Sequence, residues 1–127
     1  MKIVFDASAL IILFAKEKGY ENIRQYLKHA VISSVNIAEV YKYCIETQNL
    51  SKEDCINLIK LTGIKIIEFD DAQAMISAEI INDTKNYGLS LGDRACIALA
   101  MAKNYPVLTC DKIWQKAKLD VELIMGR

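Results

Sequence analysis

The carboxylates of four residues could act together: Asp6, Glu39, Asp93 and Asp111. Carboxylates a few ångströms apart repel one another, and the pKa of each rises unless a cation intervenes. Oxygen ligands without His or Cys select a hard ion, Mg²⁺ first and Mn²⁺ close behind. Such an ion lowers the pKa of bound water and clamps a phosphate, as in two-metal phosphodiester hydrolysis. We therefore expect a divalent metal site that acts on a phosphodiester.

Each acid also has a purely structural explanation. Asp6 and Asp111 each follow an apolar run and could simply cap the next helix. Ser90 and Asp93 form a capping box, and the helix macrodipole favours an anion there. The same box recurs at residues 51–54, where we assign no chemistry. The functional interpretation rests on the expected convergence of several acids, not on any one of them.

Glu39 and three basic residues are expected beside the other acids. Glu39 faces away from the apolar stripe of its helix, so exposure to solvent is its structural default. Arg94, Lys112 and Lys42 each lie next to an acid or one helical turn from it, where they could hold the backbone of the substrate. Equally, basic residues near acids can serve only to balance local charge.

The apolar pattern indicates which elements would position these residues. Helices alternate with short buried strands, which we expect at residues 3–5, 30–33, 65–69, 106–109 and 121–124. This alternation predicts an α/β fold with a central, mainly parallel sheet of four to five strands flanked by helices. Ligands bind such sheets beyond the carboxyl ends of the strands, and all four acids map to that edge.

The stretch 89–102, which contains Asp93, is so apolar that both faces of its helix must be covered. It is therefore expected to be central in the fold. Five further helices are expected. Two lie before the second strand, one from Asp6 as far as Gly19 and one over about 20–28. The other three begin near Ser34 or Asn36, cover 51–63, and run from Asp70 or Asp71 to Gly88.

Composition limits the class of protein. The 127 residues predict one domain, 1–127, and 16 basic residues balance 16 acidic ones, so no overall positive field favours nucleic acid. Four cysteines without a C-x-x-C pair and a single histidine exclude a typical zinc site. Cys96 and Cys110 are expected to be buried, reduced thiols of a cytoplasmic protein. The apolar run 7–15 is too short to span a bilayer.

Four sequence blocks together resemble a known family. They are VFDASAL at 4–10, SVNIAEV at 34–40, LSLGDRA at 89–95 and VLTCD at 107–111. In this order they are similar to the motif blocks of PIN-domain ribonucleases, in particular the toxins of VapBC-type toxin–antitoxin modules. The first and third blocks are the more specific. Gly92 stands where the family often has alanine.

The resemblance implies a role for each matching residue. Asp6, Glu39 and Asp93 would hold the divalent metal, Asp111 would complete the acidic site, and the Thr109 hydroxyl would orient a ligand or water. It further implies cleavage of RNA, homodimerisation, and inhibition by an antitoxin peptide that lies across the acidic groove.

Other functions remain open on the sequence. A housekeeping PIN-domain nuclease that matures RNA would use the same residues. A phosphoacceptor receiver domain would use Asp6, Thr109, Lys112 and an acid after the third strand, either Asp70 or Asp71. That alternative leaves Asp93 unexplained and lacks an acid pair after the first strand. A dehalogenase-type phosphatase is disfavoured because Ala7 and Ser8 follow Asp6 where its D-x-D signature needs a second acid.

Overall fold

The computed structural model describes residues 1–127, and a five-stranded parallel sheet forms its centre. The strands are β1 (Ile3–Phe5), β2 (Ala30–Ser33), β3 (Lys65–Ile67), β4 (Val107–Thr109) and β5 (Leu123–Met125). Their spatial order is β3-β2-β1-β4-β5, and every neighbouring pair is parallel. The expected α/β fold with a mainly parallel sheet is confirmed. Receiver domains have the order 2-1-3-4-5, so the strand order excludes that alternative.

Helices connect the parallel strands and cover both faces of the sheet. Three short 3₁₀ helices occupy Leu27–His29, Lys85–Tyr87 and Lys112–Gln115. The α-helices are α1 (Ala7–Ala15), α2 (Tyr20–Arg24), α3 (Ser34–Glu46), α4 (Lys52–Thr62), α5 (Asp71–Glu79), α6 (Ile81–Thr84) and α7 (Leu91–Lys103). None of these helices is long and apolar enough to cross a membrane.

The central strand explains the two-sided core. All three residues of β1 are fully buried, and alternate side chains of a strand point to opposite faces. Ile3 and Phe5 pack with the residues of α1, α3 and α4, whereas Val4 packs against α7 and Trp114. The expected central position of α7 is confirmed, because seven of its thirteen residues are buried.

Several element boundaries differ from the sequence-based expectation. The expected helix from Asp70 to Gly88 is broken after Glu79, where the Thr84 hydroxyl donates to the carbonyl of Ile80 at 2.9 Å and competes with the regular helix bonds. The helix over 20–28 ends at Arg24 and resumes as a 3₁₀ turn.

Boundaries near the site differ as well. The first helix ends at Ala15, and the left-handed φ of 53° at the next residue, Lys16, closes it before Gly19. Ser33 caps α3 and the helix begins at Ser34, the first of the two expected starts, so Asn36 lies inside the helix. Cys96 is buried as expected, but Cys110 is only half-buried because it lines a surface groove. All four cysteines are free thiols.

Candidate metal-binding site

Asp6 is the buried centre of the candidate site. It follows the central strand β1, and its side chain is only 5% exposed. Its Oδ1 accepts hydrogen bonds from the amide of Ala9 at 2.8 Å and the hydroxyl of Ser8 at 2.9 Å, and its Oδ2 accepts one from the hydroxyl of Thr109 at 2.7 Å. Asp6 is therefore the N-cap of α1, as the structural explanation predicts.

The cap does not use the full bonding capacity of Asp6. A carboxylate offers about four lone-pair sites, two on each oxygen. The bonds from Ser8 and Ala9 occupy both sites on Oδ1, and Thr109 occupies one on Oδ2, so one site on Oδ2 remains for a ligand. Burial raises the pKa of Asp6; the three hydrogen bonds oppose this rise, and the negative charge of Asp93 adds to it.

Glu39 extends from α3 toward the same point from the solvent side. Its side chain is exposed, as the helix pattern predicts. Partial burial raises the pKa of Glu39, and the charges of Asp93 and Asp6 raise it further. Its Oε1 occupies the space that a Cβ would fill at Gly92. Glycine at the start of α7 thus admits the Glu39 carboxylate.

Asp93 combines a structural and an electrostatic role. Its Oδ2 accepts from the amide of Ser90 at 2.9 Å, and the Ser90 hydroxyl accepts from the amide of Asp93 at 3.1 Å. The predicted capping box is confirmed. Asn36 fixes this helix start relative to α3, because its Nδ2 donates to the carbonyl of Gly92 at 2.9 Å. The bond sets the spacing between the helices that carry Glu39 and Asp93.

The buried thiol of Cys96 lies within reach of the charges of three acids. It is fully buried, and burial raises its pKa well above the ordinary value. The charges of Asp6, Asp93 and Glu39 each raise it further. The structure therefore brings together three acids from three separate elements, β1, α3 and α7.

Asp111 reaches the same sheet edge but in a different role. Its carboxylate is exposed and accepts from the amide of Ile113 at 3.0 Å, so it caps a 3₁₀ helix. Its own amide donates to Thr109 Oγ1 at 3.1 Å, and the Thr109 hydroxyl in turn donates to Asp6. Asp111 is absent from the charges that act on Asp6 and Glu39. Its place in the metal site stays a prediction.

The three basic residues lie in different surroundings. Lys42 and Glu39 line an open groove of about 300 Å³ along α3, and Lys112 lines another groove beside Cys110. The Arg94 Nη1 is 3.5 Å from the carbonyl of Leu89, and its Nε is buried without a partner. None of the three forms an ion pair with an acid.

The donor set fits a divalent cation, although its side chains are not arranged around one. No group of three or more His, Cys, Asp or Glu residues stands close enough to hold an ion as it is. The one ion pair of the chain joins Arg127 to Glu17, so no side chain compensates the crowded charges of Asp6, Glu39 and Asp93.

Sequence reasoning missed three contributors to this geometry. Ser8 bonds to Asp6, Asn36 fixes the start of α7, and Gly92 leaves room for Glu39. Ser8 carried a local signal, since a hydroxyl two residues after a helix-capping Asp can reach its carboxylate. The contacts of Asn36 and Gly92 cross between helices and have no such signal.

Comparisons with known proteins agree with this fold. The family model described as PIN domain matches residues 3–119, and no curated protein matches the chain. Among solved structures, a toxin-antitoxin complex from Klebsiella pneumoniae has a chain 21% identical, with a TM-score of 0.74 over 99% of this chain and 98% of that one. DNA-bound VapBC from Salmonella typhimurium has 13% identity and a TM-score of 0.75, covering 100% and 99%. VapBC-1 from nontypeable Haemophilus influenzae has 20% identity and a TM-score of 0.72, covering 99% and 98%.

Proposed function

The chain belongs to the PIN-domain family, a family of nucleases, and from this premise we propose that it is a divalent-metal-dependent endoribonuclease. The observation that carries the proposal is the convergence of Asp6, Glu39 and Asp93 without any compensating cation. Crowded carboxylates of this kind cost stability in the native state, and a function that needs a divalent ion explains their presence.

Asp6, Glu39 and Asp93 would hold Mg²⁺ or Mn²⁺, with Asp111 at the margin of the site. When bound, such an ion supplies an activated water and neutralises charge on a phosphate. The protein contributes positioning. Asp6 is fixed by its three hydrogen bonds, and Thr109 links it to the segment that carries Asp111. Arg94, Lys112 and Lys42 would contact the phosphates of RNA.

A toxin role is favoured over RNA maturation by the neighbouring folds. The similar structures are described as a toxin-antitoxin complex and as VapBC. An antitoxin would need an apolar docking surface, and a groove of about 280 Å³ between α3 and α4 offers one, with Tyr41 and the 53% exposed Ile45 in its lining. Homodimerisation remains a prediction from the family resemblance.

The test is RNA cleavage by the purified chain. Single-stranded and structured RNAs are incubated with Mg²⁺, Mn²⁺ or excess EDTA. We expect cleavage only with the metals, and loss of it in Asp93→Asn, which keeps the cap but removes the charge. Asp54→Asn is the matched control, because Asp54 occupies the corresponding position at the start of α4, where its amide donates to Ser51. Undiminished cleavage in EDTA would exclude the metal mechanism.

Growth separates the toxin from a housekeeping nuclease. Induced expression of the wild type should arrest growth, and Asp93→Asn should not. Co-expression of a small DNA-binding protein encoded beside this chain should restore growth if that protein is the antitoxin. Expression without arrest, together with metal-dependent cleavage in vitro, would favour RNA maturation.

A further inference from the structure

A groove next to the acidic site is lined by three cations. It has a volume of about 450 Å³ and is lined by Lys18, Gly19, Cys110, Lys112 and Arg127. These residues come from three segments: the loop after α1, the turn after β4 and the residues after β5. We refer to it as the basic groove. The chain is electrically neutral overall, with 16 basic and 16 acidic residues, so this concentration of positive charge is local.

The C-terminal segment is built into the groove wall. Gly126 is buried; its amide donates to the carbonyl of Thr109 at 2.9 Å, and its carbonyl accepts from Asn22 Nδ2 at 2.7 Å. Arg127 Nη1 donates to the carbonyl of Lys18 at 3.0 Å. The backbone bonds of Gly126 fix the C-terminal segment, and the bond to the Lys18 carbonyl then holds the guanidinium beside Lys18.

Two glycines permit this close approach. A Cβ at Gly19 would lie 2.8 Å from the Cβ of Arg127, and Gly19 has a φ of 91°, which other residues rarely adopt. A Cβ at Gly126 would lie 2.8 Å from the Cys110 sulfur. The groove wall thus depends on specific residues and is not a chance grouping of surface lysines.

The basic groove adjoins the acids along one strand end. Thr109 donates to Asp6, and the next residue, Cys110, lines the groove. The groove therefore begins one residue beyond the strand end that contacts Asp6.

Most of the positive charge in the groove is available to a ligand. Only Arg127 has an ion-pair partner, Glu17 at 3.7 Å, and both side chains are about half exposed, at 40% and 52%. Lys18 and Lys112 are exposed and have no ion pair. The cations of the groove would attract an anion. Beside a site that acts on phosphodiesters, the nearest such anion is the next phosphate of the same nucleic-acid strand.

We propose that the basic groove binds a backbone phosphate of single-stranded RNA adjacent to the bond that the acidic site cleaves. This inference rests on the proposed ribonuclease function and adds a second contact between the protein and its RNA substrate. One contact at the acids and one at Lys18 and Arg127 fix the direction in which the strand crosses the sheet edge. Lys112, which follows Asp111 and lines the groove, would contact both phosphates.

The test measures binding of a fluorescent single-stranded RNA in EDTA, so that cleavage does not interfere. For single strands, each phosphate contact contributes about 0.7 to the slope of log K against log salt. Lys18→Gln should lower the slope by ~0.7 and weaken binding roughly fivefold at 0.1 M salt. The Lys18 side chain makes no contact within the protein that this change would break. Lys118→Gln is the matched control, an exposed lysine outside the groove.

Glu17→Gln provides a second test, in which the expected effect is tighter RNA binding, a result that misfolding would not produce. It removes the carboxylate that competes for Arg127, so RNA should bind more tightly and with a steeper salt dependence. If the Lys18 and Glu17 variants bind RNA like Lys118→Gln, the phosphate site is wrong, whether or not the protein cleaves RNA. If the wild type fails to cleave RNA with Mn²⁺, the proposed function is wrong. The binding measurements in EDTA still decide whether the groove binds a phosphate, because they do not depend on cleavage.

Discussion

Replacing Asp6 by asparagine is expected to stabilise the metal-free protein. The substitution keeps the shape of the side chain and an oxygen for the cap of α1, since Asn caps a helix about as well as Asp. It removes a buried charge whose pKa is raised by burial and by Asp93. Because the charge destabilises the native state relative to the unfolded chain, its removal should stabilise the native state.

The size of the gain follows from two opposing effects. Relief from burial of the charge is the larger part of the gain, and relief from repulsion by Asp93 adds to it. Together we take them as ~2 kcal/mol, the repulsion of two charges roughly 7 Å apart in an effective dielectric of about 20, before screening by salt. Against this, the NH₂ group that Asn places where Asp6 has Oδ2 cannot accept the bond that the Thr109 hydroxyl donates, a loss of ~1 kcal/mol. The net gain is ~1 kcal/mol, which corresponds to a rise in Tm of roughly 4 °C for a domain of this size.

Thermal melts in EDTA and in Mn²⁺ measure this directly. Asp70→Asn is the matched control, because Asp70 caps α5 through the same bond to the third following residue but is exposed and is not one of the three crowded acids. We expect a higher Tm in EDTA for Asp6→Asn only, together with a smaller gain in Tm on adding Mn²⁺, which stabilises by binding the native state. A lower Tm in EDTA with an unchanged response to Mn²⁺ would refute the acidic-site interpretation.

Three further predictions concern the same cluster. The difference in free energy of unfolding between Asp6→Asn and the wild type should shrink as pH falls from the raised pKa of Asp6 toward the ordinary 3.8. The reason is that the native wild type takes up a proton at Asp6 before the unfolded chain does. Urea unfolding at pH 4 and pH 7 checks this. Gly92→Ala should displace the Glu39 carboxylate and lower Mn²⁺ affinity in calorimetry, while the helix gains ~0.5–1 kcal/mol in urea unfolding. Thr109→Val should lose ~1–3 kcal/mol, because the Asp111 amide loses its acceptor and Asp6 a donor, and Thr109→Ser should retain most of the stability in the same assay.

The fold was predictable because its signals are local. Each strand is a short apolar run, and the capping residues Ser51 and Ser90 mark where helices begin. Alternation of strands and helices then implies a parallel sheet, and the parallel sheet places Asp6 and Asp93 at one edge. The broken helix after Glu79 was not predictable from apolar periodicity, because the bond from Thr84 to a backbone carbonyl decides it.

The acids of the candidate site were predictable from the sequence, but the residues that position them were not. Asp6 and Asp93 carry motif signals, but the place of Glu39 depends on the missing Cβ at Gly92, 53 residues away. The contact from Asn36 to the same residue is likewise invisible in the sequence. Arg127 reaches Cys110 only in the folded state, because β5 pairs with β4 there.

The central claim is that RNA cleavage depends on a divalent ion held by Asp6, Glu39 and Asp93. The most direct test is the initial rate of cleavage of a labelled RNA as a function of free Mn²⁺, for the wild type, Glu39→Gln and Asp54→Asn. We predict no cleavage without Mn²⁺, a shift of the midpoint to higher Mn²⁺ in Glu39→Gln because one anionic ligand is lost, and a wild-type curve for Asp54→Asn. Cleavage that persists in excess EDTA, or the same midpoint in all three proteins, would contradict the claim.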